Sequence, residues 1–305
     1  MRFVVFGEAL IDLIPTQERT PAESTWVAHS GGSPMNTAVA LGKLGCEVQF
    51  LGRLGDDAFG RQLASHIESF GVGLDLAVRT TDPTTLAVVS LDEDGKASYA
   101  FHTDGTTNFH WAESEFPEVP ADAWLHFGSI GAVLEPTYAS VHRFLSSTPN
   151  PKSFDINVRP KVLSDREEYR TKVDALLALV AQSGGFGKAS DEDLVWLTDS
   201  SLEPLDAASE FCRRHGLDLF LVTLGSRGAA AVGPDGIIAS VPGRRIEVVD
   251  TVGAGDTFTA GFLSAFDGTN VEESLRRGIG ASALVCTRAG AQPPTAAELD
   301  AFLAS

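Results

Sequence analysis

The chain has 305 residues and is 43% hydrophobic, enough for one large α/β domain or two small ones with a sizeable core. Its formal net charge of −18 argues against nucleic acid or an anionic membrane surface as partner, since either would repel it at long range. The three cysteines, Cys46, Cys212 and Cys286, form no CxxC pair, which argues against a zinc ribbon or a dithiol motif and for reduced, mostly buried thiols.

The N-terminal run "MRFVVFGEALID" is broken early by Glu8 and Asp12, too soon for the apolar core of a secretory signal. No apolar run approaches membrane-spanning length, so a cytoplasmic protein is expected. The runs "FVVF" (3–6), "VQFLG" (48–52), "AWLHFG" (123–128), "SFDI" (153–156) and "DLFLVTLG" (218–225) read as buried strands. Between them, "SPMNTAVALGKLG", "DAFGRQLASHIESFG" and "PLDAASEFCRRHG" read as helices closing on glycine, the residue that favours a left-handed C-terminal cap. This alternation predicts an α/β protein with a mostly parallel sheet covered on both faces. Two β-rich stretches interrupt it, 10–32 and 84–102, the second with a hairpin signal at "DEDGK" (92–96). Both are too short to be domains, and together they would form a small sheet standing off the main one as a lid.

The segment "DTVGAGDTFTAGF" (250–262) follows the strand-like run "RRIEVVD" and opens a helix whose Phe258, Phe262 and Phe266 recur every four residues on an inward face. The free N–H groups at the start of that helix, together with the small residues Gly253, Ala254 and Gly255, make an anion site. A carboxylate there is electrostatically costly for mere binding. It suits a general base that takes a proton from a hydroxyl attacking a bound phosphoryl group. The plainer alternative is that Asp256 caps the helix and the glycines form a turn.

With "GGSPMNTAVALGKLG" (31–45) near the N-terminus, this segment resembles the paired signatures of the ribokinase-like, or PfkB, carbohydrate and nucleoside kinases. The resemblance covers essentially the whole chain. It implies a single domain over 1–305 with a three-layer α/β/α fold and lid insertions at about 10–32 and 84–110. It also implies Asp256 as catalytic base, with Gly253, Ala254 and Gly255 stabilising charge on the transferred group. The sugar would be held by Asp12, Gly31, Gly32 and Asn36; an ordinary turn, a helix cap by Asn36 and a solvated Asp12 are the alternatives. "SFDINVRP" (153–160) would present Arg159 to phosphates or sugar, against a surface ion pair.

"GGFGKAS" is not a Walker A loop, so phosphate binding would rest on helix N-termini and Lys188. Thr223, Gly225, Ser226 and Gly228 in "VTLGSRGAA" match the family's ATP segment, where a hairpin turn is equally expected. The family's Asn-x-x-Glu, which orders Mg²⁺, is replaced by Ser190 and Asp193, leaving Asp193 to hold a metal-bound water; an acidic helix N-terminus explains the same residues. Asp250 and the Val252 carbonyl match the position of a monovalent cation, usually K⁺.

Within the family the segments resemble bacterial fructokinases, implying transfer from ATP to a primary hydroxyl of D-fructose with Mg²⁺. Tyr99 and Phe101 would face the sugar or else pack within the lid. The alternatives are a kinase for 2-keto-3-deoxygluconate or another sugar or nucleoside, and a catalytically silent sugar-binding regulator. A homodimer through the lid is implied by resemblance.

Overall fold

The computed structural model describes residues 1–20, 22–91, 97–198 and 202–305. In chain order the strands are β1 (Arg2–Phe6), β2 (Leu10–Arg19), β3 (Ser24–Gly31), β4 (Glu47–Leu51), β5 (Arg53–Gly55), β6 (Val78–Thr80), β7 (Leu86–Leu91), β8 (Ala97–His102), β9 (Ala123–Gly128), β10 (Lys152–Asp155), β11 (Phe186–Ser190), β12 (Phe220–Thr223), β13 (Ala229–Gly233) and β14 (Gly236–Val241). The α-helices are α1 (Ser33–Lys43), α2 (Ala58–Ser69), α3 (Thr137–Ser147), α4 (Arg166–Gln182), α5 (Asp191–Thr198), α6 (Pro204–His215), α7 (Ala254–Ala265), α8 (Val271–Cys286) and α9 (Ala296–Ala304).

The main sheet has the order β14-β13-β12-β11-β10-β9-β1-β4. It is parallel from β4 to β12, and the β12–β13 and β13–β14 pairs at the far edge are antiparallel. Strand β1 shows why both faces are covered. Phe3 and Val5 enter one apolar core with α1, α2, α7, α8 and α9, while Val4 and Phe6 enter a second core with α3, α4, α5 and α6. With successive side chains on opposite faces, a strand apolar at every position must be buried on both, and this makes the three layers.

A second sheet, β3-β2-β7-β8, stands apart and uses the two β-rich stretches expected to form a lid. Register Asp12↔Ala87↔Phe101 puts Asp12 and Phe101 in one row across it. The "DEDGK" turn expected at 92–96 lies outside the described residues.

The three helices expected to close on glycine do so, with Gly45, Gly71 and Gly216 in left-handed backbone. "RRIEVVD" is not a strand. Most of it is exposed, and Val249 and Asp250 donate their N–H groups to the Cys286 carbonyl at the end of α8, at 2.8 and 3.3 Å, instead of to a strand partner. Conversely "GGFGKAS" contains β11, a central strand; it is apolar enough at Phe186 and Ala189 to be buried, although Lys188 masks the pattern. All three cysteines are free; Cys212 and Cys286 are buried and Cys46 partly so. No helix among the described residues is long and apolar enough to cross a membrane.

Candidate active site

The carboxyl ends of β9 to β12 open into a cleft of about 1330 Å³, roofed by the lid and flanked by the start of α7. Open parallel sheets place ligands at this edge, because the strand-to-helix turns there carry free backbone groups. Helix α7 begins at Gly253, whose φ of +74° is left-handed and suits glycine; a Cβ there would also come within 2.7 Å of Ala291. The Ala254 N–H is used by the Thr251 carbonyl at 3.2 Å. The N–H groups of Gly255 and Asp256 find no carbonyl among the described residues, as befits a first helical turn, and they are available to an anion.

Asp256 is 7% exposed. Ser33 Oγ donates to its Oδ1 at 2.7 Å and Asn36 Nδ2 donates to its Oδ2 at 2.9 Å. Burial raises its pKa above the usual carboxylate range, opposed by these two donors and by the charges of Lys188 and Arg159. Capping of its own helix is not what holds it: its side-chain donors come from α1, and Gly253, not Asp256, is the N-cap.

Lys188 lies in β11, where its ammonium pairs with Asp155 Oδ2 at 2.6 Å. A Cβ on Gly255 would come within 3.1 Å of that ammonium, so Lys188 stands directly behind the α7 turn. Asp155 is 1% exposed and its Oδ1 has no hydrogen-bond partner among the described residues. Burial pushes its carboxyl up and Lys188 pulls it down.

On the lid side, Asp12 faces the cleft, with Tyr99 and Phe101 stacked on each other at a centroid distance of 6.1 Å. Phe101 also packs into a small apolar cluster with Leu10, Ala87 and Phe109, whereas Tyr99 stays 42% exposed, so both expected roles of this strand have a place. Burial raises Asp12 to about 6, with His29 and Arg159 opposing. Gly32 lines the cleft at φ +113° and Gly31 does not; a Cβ on Gly31 would strike Asp12 Oδ2 at 2.3 Å, and one on Gly32 the Glu8 carbonyl at 2.5 Å. The two glycines therefore admit neighbouring protein atoms.

Arg159 lines the cleft, exposed, and forms no ion pair among the described residues; its charge acts on Glu8, Asp12 and Asp256 together. Thr223, Gly225, Ser226 and Gly228 line the other end, on the turn between antiparallel β12 and β13, so the hairpin reading of that segment holds.

Ser190 and Asp193 cap α5 reciprocally: Ser190 Oγ accepts from the Asp193 N–H at 3.0 Å and Asp193 Oδ2 accepts from the Ser190 N–H at 2.8 Å. Asp193 Oδ1 takes the Val158 N–H at 2.9 Å, which ties the loop carrying Arg159 to α5. Asp250 bonds the Val252 N–H through Oδ1 at 3.1 Å and the Gly290 N–H through Oδ2 at 2.8 Å, fixing the approach to α7. Among the described residues no group of three or more His, Cys, Asp or Glu is placed to hold a metal ion.

Four contributors escaped the sequence reading. Ser33, Asn157 and Asp155 are joined to named site residues only through space. Glu8 is buried beside the cleft, raised to about 7 by desolvation, and accepts the Gly131 N–H at 3.0 Å. A signal existed for three of them. Ser33 sits within the glycine-rich motif, and Asp155 and Asn157 flank a strand end in "SFDINVRP".

A family profile described as pfkB family carbohydrate kinase matches residues 2–298. A fructokinase of Rhizobium leguminosarum bv. trifolii is 33% identical over 285 residues, covering 89% of this chain and 85% of its own length. A fructokinase of Vibrio alginolyticus is 30% identical, with 98% of each chain covered. The crystal structure of a Xylella fastidiosa fructokinase with bound ATP superposes with a TM-score of 0.86 at 27% identity, covering 99% of this chain and 98% of that one. The Salmonella enterica aminoimidazole riboside kinase, complexed with aminoimidazole riboside and an ATP analogue, gives 0.84 at 26% identity over 99% of this chain and 100% of that one.

Proposed function

The chain belongs to the pfkB family of carbohydrate kinases and is a sugar kinase, and from that premise we propose that it transfers the γ-phosphoryl group of ATP to a primary hydroxyl of D-fructose, with Asp256 as general base. The observation that carries the reading is a buried carboxylate on the third residue of α7, in a first helical turn whose Gly255 and Asp256 N–H groups are available to an anion, with an ammonium directly behind the turn.

In the proposed reaction the sugar oxygen bonds to the γ-phosphorus, the bond from phosphorus to the β,γ-bridging oxygen breaks, and ADP leaves. Asp256 takes the hydroxyl proton. The Gly255 and Asp256 amides with Lys188 face the charge on the transferred group. Asp12 accepts sugar hydroxyls, Asn36 contributes its remaining amide proton and its carbonyl, and Tyr99 and Phe101 cover the ring from the lid. Thr223, Gly225, Ser226 and Gly228 receive the nucleotide.

Fructose is favoured because the named relatives at 30% identity or more are fructokinases. The likeness to the riboside kinase supports a nucleoside as second reading. Asp193, which lines the cleft, would hold a water of a Mg²⁺ brought with ATP, and the ion would supply neutralisation of phosphate charge. Asp193 keeps a free lone pair on each oxygen for such a water. Asp250 and the Val252 carbonyl, placed by the bond to Gly290, fit a monovalent cation; a Vibrio cholerae fructokinase was crystallised with fructose, ADP and potassium. The exposed Ile14 and Val27, cross-strand partners on one face of the lid, support a homodimer through that sheet.

A coupled ADP-release assay over fructose, glucose, mannose, ribose, 2-keto-3-deoxygluconate, aminoimidazole riboside and adenosine tests the substrate. Fructose should give the highest kcat/KM, and no turnover with fructose would overturn the assignment.

A further inference from the structure

Ser33 has no part in the roles assigned above, yet it touches the reaction centre. It is the first residue of α1, it lines the cleft, and its hydroxyl donates to Asp256 Oδ1 at 2.7 Å across a sequence separation of 223 residues. Its oxygen in turn accepts from Asn157 Nδ2 at 2.7 Å. A serine hydroxyl has one proton and two lone pairs. With Asn157 donating to a lone pair, the single proton is committed to Asp256. Asn157 is held for this in left-handed backbone, φ +45°, one of only two non-glycine residues among those described with positive φ. Strained backbone persists where surrounding structure over-determines it, and here it lies at the mouth of the cleft, next to β10.

On the reading of Asp256 as base, we propose that Ser33 is a positioning residue, oriented by Asn157, which aims the Asp256 carboxylate and keeps it ionised. Donors reach both carboxylate oxygens, Ser33 on one and Asn36 on the other, so the side chain cannot rotate without losing a bond. Each oxygen keeps one lone pair for the acceptor hydroxyl. Hydrogen bonds donated to the charged form favour it, and here they offset the desolvation of a buried acid.

The charged groups facing Asp256 are Lys188 from β11 and Arg159 from the loop after β10, which favour the anion, and Asp155 from β10, which opposes it. From α1 come only the neutral Ser33 and Asn36. Helix α8 brings Ser282 and the Cys286 thiol to that end of the cleft, and its charged residues stand in its first two turns.

The test is the pH profile of kcat at saturating sugar and ATP, where the acid limb reports groups of the ternary complex. Ser33→Ala should move that limb upward by about one pH unit, since a hydrogen bond to a charged group is of that order. It should recover toward the wild-type rate at high pH, and Ser33→Thr, which keeps the hydroxyl, should restore the limb. Asn157→Ala should shift it the same way but less. An acid limb in Ser33→Ala that coincides with wild type, or a loss of rate equal at every pH and not restored by Ser33→Thr, would overturn the proposal. Asp256→Asn run alongside separates the two levels: full turnover in that variant removes the premise and the inference with it, whereas an inactive Asp256→Asn with unshifted Ser33→Ala removes the inference alone.

Discussion

The two walls of the cleft are built differently. On the main-sheet wall, polar groups are buried or half-buried and already paired: Asp256 with Ser33 and Asn36, Lys188 with Asp155, Asp193 with two backbone N–H groups. On the lid wall, Tyr99 is substantially exposed, and Asp12 faces the cleft with no hydrogen bond to its carboxylate among the described residues. The first wall is preorganised, so its donors and charges reorganise little during phosphoryl transfer. On the proposed reading the second wall is completed by the sugar, and that is where discrimination among acceptors would be exercised. Damage to the main-sheet wall should therefore fall on kcat and on the fold, and damage to the lid wall on KM.

The sharpest way to break this contrast is at the buried ion pair. Lys188→Met leaves Asp155 buried and unpaired, and should cost about 3–5 kcal/mol in denaturant unfolding as well as most of the turnover. Adding Asp155→Asn should recover much of the stability and little of the activity; recovery of both would show that Lys188 serves the fold alone. Next comes Gly255→Ala, whose methyl group would approach the Lys188 ammonium at 3.1 Å. It should lower kcat by about 10²-fold, the scale of one lost charge-stabilising contact, with KM for sugar little changed. A rise confined to KM would place the phosphate elsewhere.

The lid side should respond differently. Asp12, raised to about 6 by burial, stays protonated in the folded protein over a range where the unfolded chain has ionised, above an ordinary value of about 4. Its contribution therefore favours the fold at low pH and is lost as pH rises through about 6. Asp12→Asn should raise Tm by about 2 °C at pH 8 and leave it unchanged near pH 4, while raising the KM for sugar about tenfold or more. Wild-type sugar affinity should weaken as pH falls below about 6, as Asp12 loses its charge. The smallest effect is expected at Tyr99→Ala, a KM increase of a few fold at unchanged kcat, as for one partly exposed aromatic contact.

Much of the fold is legible in the chain because its signals are local. Both-face burial shows in "AWLHFG", which forms β9 over the same residues, and helix ends show in Gly45, Gly71 and Gly216. The start of α7 is equally plain from Gly253 to Asp256. The failures have physical reasons. β11 is hidden because a buried lysine, paired with a buried aspartate, interrupts an otherwise apolar strand. "RRIEVVD" has the composition of a strand but finds its backbone partner at a helix end. The candidate site divides the same way. Asp256 and its glycines stand out by spacing, whereas Ser33 and Asn157 matter through contacts with residues far along the chain, which no local pattern encodes.

The central claim is that Asp256 removes the acceptor proton while the rest of its wall is already in place. Asp256→Asn keeps the shape of the side chain and removes its charge and basicity, while its amide nitrogen meets one of the two donors, Ser33 or Asn36. Measured together by ADP release with D-fructose and by calorimetric titration of fructose, it should lose about 10²- to 10⁴-fold in kcat and bind sugar within a few fold of wild type. A variant that turns over at the wild-type rate would contradict the account.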